Sequence, residues 1–373
     1  MLNKIKQEIN KYDLFLLLVI VAMIVFGSIM VISAGSFIAA EKFNNENYFI
    51  SNQIKNVLIA AVAFIIAMSI NYRIYNNKYI MYGAMTLTVL ALVYLLISNQ
   101  GESIKGAKRW IFGFQPSEVA KNMIVFYFAF SLNRLRTNID KFVKGYIYHL
   151  GILAAIVTLV VLQPAFSTSM MIFAIGYSMF YISGMKFKHL ISSMVLIVPA
   201  IIVLAIFQPY RMDRINTFFN PAEDKSGSGW QVEQSLLGFG NGGVYGSGLG
   251  ESRQKEFYLP EPHNDFIFSI IGDEFGFIGT VMLILAYIAI MIRGFMIAAK
   301  APDFFGFLLA SGITLTILIY SIFNMSITLG LVPPTGLPLP LISYGGTSLI
   351  MTMFSLGVLM NISYKGKKEA LEE

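Results

Sequence analysis

Long apolar runs separated by short polar connections recur along the whole chain. A helix needs about 20 such residues to cross the hydrocarbon of a bilayer. By that measure the pattern predicts about ten membrane-spanning helices, at 13–34, 52–70, 79–97, 116–132, 146–162, 168–184, 190–207, 265–292, 304–324 and 347–363. The predicted fold class is therefore an all-α polytopic membrane protein, read as a single domain over 1–373. Met1–Lys11 is too polar, and the first span too long, for a cleaved signal peptide, so the start reads as a signal anchor. No internal repeat of the kind that builds inverted transporter halves stands out.

Composition sharpens this picture. Of 373 residues 56% are hydrophobic and 13% charged, against about 45–50% and 25% in soluble domains. A soluble enzyme of this size would lack the charges to cover its surface, and an apolar content spread this evenly excludes disorder. With no cysteine, disulfides, thiolate metal sites and thiol catalysis are excluded. The net charge of +6 fits charges held at membrane edges better than a nucleic-acid surface.

Lysine and arginine sort the connections into two sides. Lys4, Lys6, Lys11, Arg73, Lys78, Arg134, Arg136, Lys141, Lys144, Lys186, Lys188, Arg293, Lys300, Lys365, Lys367 and Lys368 fall on one side; the short loops of the other hold only Lys42, Lys55, Lys105, Lys108 and Arg109. Both termini are expected in the cytoplasm. The long connection 208–264, between spans 7 and 8, and the Pro-rich turn 331–346 are expected outside.

The chemically interesting polar residues all lie on that outer side, whereas a transporter would also need polar groups at mid-membrane. Before the fourth span stands Gly101-Glu-Ser-Ile-Lys-Gly-Ala-Lys-Arg-Trp-Ile-Phe-Gly-Phe-Gln-Pro-Ser-Glu-Val-Ala-Lys121. Pro116 suits a first helical turn, and Glu118 and Lys121, three apart, can pair on one face. They form either a neutralised ion pair at a helix start or a polar floor for an anionic substrate. Arg109 and Trp110 offer a phosphate contact and an aromatic platform, or else an interfacial anchor. The long loop carries Arg211, then Trp230, Gln234 and Ser235, then a glycine-dense stretch 238–250 that is neither a P-loop nor a dinucleotide fingerprint. It closes on Ser252-Arg-Gln-Lys255 and Glu261-Pro-His-Asn-Asp265.

Asp265 is the leading candidate for chemistry. It stands where the loop enters a helix, at headgroup depth, where a carboxylate keeps water access and can act as a general base; a plain helix-start carboxylate is the simpler alternative. His263 reads as an interface residue or a partner of Asp265 rather than a metal ligand. Asp273 and Glu274 lie about 12–14 Å further along the helix and turn away from Asp265; they either satisfy buried partners, the favoured reading, or line a second cavity. In the last segment, Leu331-Val-Pro-Pro-Thr-Gly-Leu-Pro-Leu-Pro-Leu-Ile-Ser-Tyr-Gly-Gly346, the prolines and glycines cannot form a helix at membrane depth and must pack on protein or line a cavity. Ser343, Gly345 and Gly346 could then face a substrate, or belong to a structural re-entrant turn.

With these segments identified, the chain resembles the SEDS family (shape, elongation, division and sporulation), which includes FtsW, RodA and SpoVE. The resemblance rests on Arg109-Trp110, Gln115-Pro-Ser-Glu-Val-Ala-Lys121, Gly229-Trp-Gln…Gln-Ser235, Tyr258-Leu-Pro-Glu261, His263-Asn-Asp-Phe-Ile-Phe268 and Pro338-Leu-Pro…Ser343-Tyr-Gly-Gly346, in order along nearly the whole chain. It implies a ten-span polymerase of peptidoglycan strands that uses lipid II at the outer face of the bacterial cell membrane, with Asp265 as catalytic carboxylate. The implied partners are lipid II and the growing glycan strand, a class B penicillin-binding transpeptidase, and other divisome or elongasome membrane proteins. Two positions depart from the family pattern. Gln163-Pro-Ala-Phe-Ser-Thr168 has Ala165 where an acidic residue is usual, and Asn264 replaces a common threonine. Ser252-x-Gln-Lys255 looks like the division branch and Thr335-Gly-Leu-Pro-Leu-Pro340 like the elongation branch; the balance leans to an FtsW-like protein, which would sit at the septum.

The reaction implied is glycosyl transfer with inversion. Asp265 takes the proton of an acceptor sugar hydroxyl while Arg109, Lys121, Arg211 and Lys255 offset the charge of a departing polyprenyl pyrophosphate. A divalent cation, magnesium or manganese, on that pyrophosphate is compatible with its charge, although the sequence shows no dedicated ligand cage. The competing readings are a lipid II flippase and a non-catalytic scaffold for a transpeptidase.

Overall fold

A computed structural model describes residues 11–97, 102–104, 107–111, 113–206, 209–219, 224, 227–255 and 259–372. Ten helices fall on the ten segments expected from the hydropathy pattern. They are α1 (Leu14–Phe43), α2 (Tyr48–Ser69), α3 (Lys78–Ile97), α4 (Pro116–Arg134), α5 (Tyr148–Leu162), α6 (Phe166–Ile182), α7 (Phe187–Ile206), α10 (Ile267–Ala299), α11 (Phe304–Thr328) and α12 (Gly346–Glu372). A π-helical turn, Phe142–Ile147, leads into α5. Among the described residues seven helices are long and apolar enough to cross a membrane: α1, α2, α3, the Phe142–Leu162 segment, α10, α11 and α12. These make the chain a polytopic membrane protein. The fourth helix falls outside that group because it carries Glu118, Lys121 and Asn122, yet it is almost wholly buried. Its polar groups face protein rather than lipid.

Two features add to the sequence reading. The chain is helical in class, as expected, and carries besides a small antiparallel hairpin, β1 (Glu102–Ile104) with β2 (Ala107–Trp110). The long connection is also not a plain loop: it holds α8 (Pro209–Phe219) and α9 (Ser228–Gly242).

Local chemistry sets several helix ends. The Asp13 carboxylate accepts the Leu16 N–H at 3.1 Å and starts α1, and Asp303 does the same for α11 through Gly306 N–H at 2.7 Å. Such side-chain caps satisfy donors that a helix start leaves open. Both acids are used twice: Arg293 reaches Asp13 at 2.6 Å, and Arg73 joins Asp303 at 2.9 Å to Glu369 at 3.0 Å. These bonds tie the start of α1 to α10, and the turn between α2 and α3 to the start of α11 and the end of α12.

At the other end α10 breaks. Gly276 takes φ 65°, ψ −160° inside the helix, which only glycine adopts readily. The freed main-chain groups are taken up by the glycine-rich segment 243–248. Ser247 N–H donates to Asp273 O (2.9 Å), Gly248 N–H to Glu274 O (3.0 Å), Phe277 N–H to Gly243 O (2.9 Å) and Ile278 N–H to Val244 O (3.2 Å). Irregular backbone inside an apolar bundle survives only where other protein groups satisfy it, and the glycines permit this approach. A Cβ on Gly246, whose φ is +85°, would come within 2.1 Å of Glu274 O.

Gly246→Ala should therefore destabilise the protein by roughly 3 kcal/mol or more, combining backbone strain with overpacking. Gly151→Ala, where nothing lies within 4 Å of the added methyl, should not. Thermal melting of both purified variants in detergent checks the contrast; equal melting temperatures would refute the role assigned to this contact.

Candidate functional site

Asp265 lies two residues before the first residue of α10 and is partly exposed. Two irregular segments, the loop before α10 and the Pro-rich turn, converge on it. Asn324, fully buried on α11, donates its amide to Asp265 O at 2.9 Å and to Leu337 O at 2.7 Å. One side chain thus joins the loop before α10 to the Pro-rich turn. Ser343 adds a second link, donating to Asn264 O at 2.7 Å while accepting the Leu339 N–H at 2.7 Å. Tyr344 N–H donates to His263 O at 2.9 Å. The Pro-rich turn is accordingly clamped over the start of α10, and a Cβ on its Gly336 would lie 3.3 Å from Asp265 Oδ2.

The neighbours expected from sequence divide into groups. His263 is buried and packs with the rings of Phe49 (4.4 Å) and Tyr344 (5.6 Å). Burial pushes the Tyr344 phenol above its ordinary value, with Tyr48 adding to the effect, so it stays a neutral hydroxyl. Glu261 accepts the Asn264 side-chain amide at 3.1 Å and its main-chain N–H at 3.1 Å, which closes the turn carrying Asp265. Gly345 and Gly346 lead into α12, where a Cβ on Gly346 would press on the Asn56 side chain. Gly346 thus serves the close packing of that entry, whereas a Cβ on Gly345 would meet Ser348 Cβ at an ordinary 3.6 Å. The adjacent Thr347 hydroxyl accepts the Gln115 N–H at 3.2 Å and joins α12 to the start of α4.

Glu118 and Lys121 form an ion pair at 2.6 Å with both side chains almost completely buried. The Lys121 ammonium also sits 4.1 Å from the Tyr320 ring centroid. Tyr320 and Asn324 are one turn apart on α11, so the same helix face carries both the buried pair and the clamp on Asp265. Asn122 extends the network, donating to Glu118 O and accepting from Ser355 on α12. The ion-pair and polar-floor readings of this segment are therefore not exclusive.

Other candidates are engaged elsewhere. Ser235 is fully buried and structural: its hydroxyl donates to Thr328 O at 2.7 Å, and its carbonyl accepts from Ser269 at 2.8 Å. Gln234 is buried beside it on α9, and Trp230 is half-buried near that helix's start. Lys255 does not face Asp265. Its ammonium is committed to Glu274 at 3.2 Å, to the Gly250 carbonyl and to Ser33, and Glu274 stands nine residues further along α10, about 14 Å away at 1.5 Å per residue. Asp273 accepts the Ser252 hydroxyl at 2.6 Å. The loop dips beside the broken helix, so a lysine expected to meet substrate neutralises a buried carboxylate instead. Trp110 is half-buried at the end of the hairpin. The side chains of Arg109 and Arg211 lie outside the described residues.

Three residues were missed by sequence reasoning. Asn324 is a lone amide in an apolar run. Gly336 is one of many turn glycines. Arg214, on α8, donates to Pro334 O at 3.0 Å and so braces the Pro-rich turn two residues from Gly336. Its position in the Arg211-Met-Asp-Arg214 stretch was the available signal. No group of three or more His, Cys, Asp or Glu side chains that could hold a metal ion occurs among the described residues.

A sequence model of cell cycle proteins, covering FtsW, RodA and SpoVE, matches residues 13–368. The chain is 38% identical over 360 residues to the Trichlorobacter lovleyi protein named "Probable peptidoglycan glycosyltransferase FtsW", spanning 95% of this chain and 94% of that one. It is 35% identical over 357 residues to stage V sporulation protein E of Bacillus subtilis, spanning 94% and 96%. A chain from a peptidoglycan synthase complex that coordinates polymerization and crosslinking shares the fold with a TM-score of 0.76 at 23% identity, covering 95% and 98% of the two chains. The rod shape determining protein RodA of Thermus thermophilus does so at 0.65 and 24%, covering 94% and 96%. The chain belongs to the FtsW, RodA and SpoVE family of cell cycle proteins.

Proposed function

We propose that the protein polymerises peptidoglycan glycan strands from lipid II, with Asp265 as general base. The carrying observation is the placement of Asp265. It is a partly exposed carboxylate at the mouth of α10, held by its own main-chain carbonyl to Asn324 and facing Gly336 of the clamped turn. The names borne by the relatives, glycosyltransferase among them, support the same reading. In this proposal all ten helices span the bacterial inner membrane, both termini are cytoplasmic, and the Asp265 end opens to the outer face. A class B penicillin-binding transpeptidase is the proposed partner, in keeping with the polymerization and crosslinking described for the synthase complex of the same fold. The relatives bearing the FtsW name favour a division role at the septum.

In the reaction, Asp265 accepts the proton of an acceptor sugar hydroxyl as that oxygen bonds to the anomeric carbon of the donor. The bond from that carbon to the polyprenyl pyrophosphate breaks with inversion, and the leaving group departs with the electron pair. Positive charge from Lys121, Arg109 and Arg211 offsets the growing negative charge, and Arg214 joins them as a cation braced on the turn. Lys121 does so as a buried, oriented charge rather than a mobile one. A divalent cation would come with the pyrophosphate, whose oxygens are its natural ligands. Lipid tails held between helices keep donor and acceptor in one plane, which lowers the entropic cost of their encounter.

Purified wild-type protein supplied with lipid II should form polymer, and Asp265→Asn should lose at least about a hundredfold in rate, the usual loss with a general base, with an unchanged melting temperature. A variant that polymerises normally would remove the base assignment. A wild type that only moves labelled lipid between leaflets of a vesicle would remove the polymerase reading.

The buried pair gives a second test. Lys121→Met leaves Glu118 uncompensated and should cost about 3–5 kcal/mol of stability. Adding Glu118→Gln should restore much of the melting temperature but not the polymerisation rate. Recovery of both would show that the pair is purely structural.

A further inference from the structure

Most buried glycines in this protein serve packing or backbone geometry. A Cβ on Gly27 would strike Leu341 O at 2.6 Å, and one on Gly246 would strike Glu274 O. Gly336 serves neither purpose. Its φ lies outside the left-handed region, and among the described residues the single atom within 4 Å of an added Cβ is Asp265 Oδ2, at 3.3 Å. The fold therefore has room for a side chain at this exposed position, and what that side chain would crowd is the carboxylate.

The surrounding turn cannot swing aside to make space. Leu337 N–H donates to Thr335 O at 3.0 Å, closing a three-residue turn centred on Gly336 of a kind that non-glycine residues adopt. Asn324 fixes Leu337 O, Arg214 fixes Pro334 O, and Pro333, Pro334, Pro338 and Pro340 stiffen both flanks. Any side chain at 336 would stand permanently beside Oδ2.

We propose that the acceptor hydroxyl reaches Asp265 Oδ2 across the bare main chain of Gly336, which makes Gly336 a specificity-determining residue for the incoming sugar. The inference rests on the glycosyl-transfer reading and deepens it: Gly336 forms the acceptor-side wall. The sugar hydroxyl slides over its Cα, passes its proton to Oδ2 and bonds through its oxygen to the anomeric carbon, and the pyrophosphate oxygen leaves with the electrons of the broken bond. A methyl group narrows the approach, and an isopropyl group closes it.

The absence of cysteine permits a direct test. Asp265→Cys introduces a single thiol, whose labelling rate by a small water-soluble methanethiosulfonate reports access without any need for catalysis. In the full-length protein, Gly336→Val should slow this labelling about tenfold. On the Asp265 background Gly336→Ala should slow polymerisation from lipid II about tenfold and Gly336→Val at least a hundredfold, losses expected when a reactant is displaced by about an ångström, with melting temperatures unchanged. Unchanged labelling overturns the access argument even if polymerisation falls, and unchanged polymerisation overturns the acceptor path even if labelling slows. A melting temperature lowered in both Gly336 variants would assign the residue to packing and overturn the proposal as well. An active Asp265→Asn enzyme would instead remove the underlying reading and leave the labelling result standing.

Discussion

The candidate site depends on the two hydrogen bonds given by the Asn324 amide. In an apolar bundle, chain that is neither helix nor closed barrel has no water to satisfy its polar groups, so protein groups must do it. The Pro-rich turn and the loop before α10 are two such irregular segments, lying against each other with their carbonyls unspent by any helix. Asn324 takes one carbonyl from each, and Ser343 donates across the same two segments to Asn264 O while accepting Leu339 N–H within its own turn. The position of the Asp265 carboxylate follows from this, because its own main chain is one of the bonded groups.

Charge inside the bundle obeys the same rule. Glu118 with Lys121 and Glu274 with Lys255 are buried pairs, each supported by further polar or aromatic contacts. Such pairs add little net stability, yet losing one member is costly, since the other is left as a bare charge in a medium that solvates it poorly. The pairs therefore constrain what can pack around them. Glu118 and Lys121 hold α4 against the face of α11 that also carries Asn324, and Lys255 with Glu274 pins the long loop to the broken part of α10.

Much of the fold was legible in the chain because a span of apolar residues is a strong, local signal, and every expected segment has its helix. The short helix α9 was not, because its four glycines disfavour a helix by intrinsic propensity. They are tolerated since Gly238 and Gly242 let α9 lie almost against the main chain of α10, a tertiary gain that no local pattern displays. Asp265 could be singled out by its place at a loop–helix junction. Asn324 could not, since its two partners are 59 and 13 positions away and nothing in an apolar run announces them. Lys255 was misread for a related reason: its neighbourhood in sequence is the outer loop, while its neighbourhood in space is a carboxylate on a helix it reaches only by folding back.

The interruption of α10 at Gly276 has a mechanical meaning. Its first nine residues are bonded sideways to α9 through Ser269 and to the glycine-rich segment through the Asp273 and Glu274 carbonyls. The stretch beyond the break is anchored to the same segment by Phe277 and Ile278 N–H, and to the Pro-rich turn by the buried Tyr287, whose hydroxyl donates to Pro340 O. Both halves of the broken helix thus act as abutments of the candidate site, the upper one continuing the chain of Asp265 and the lower one bracing the turn laid over it.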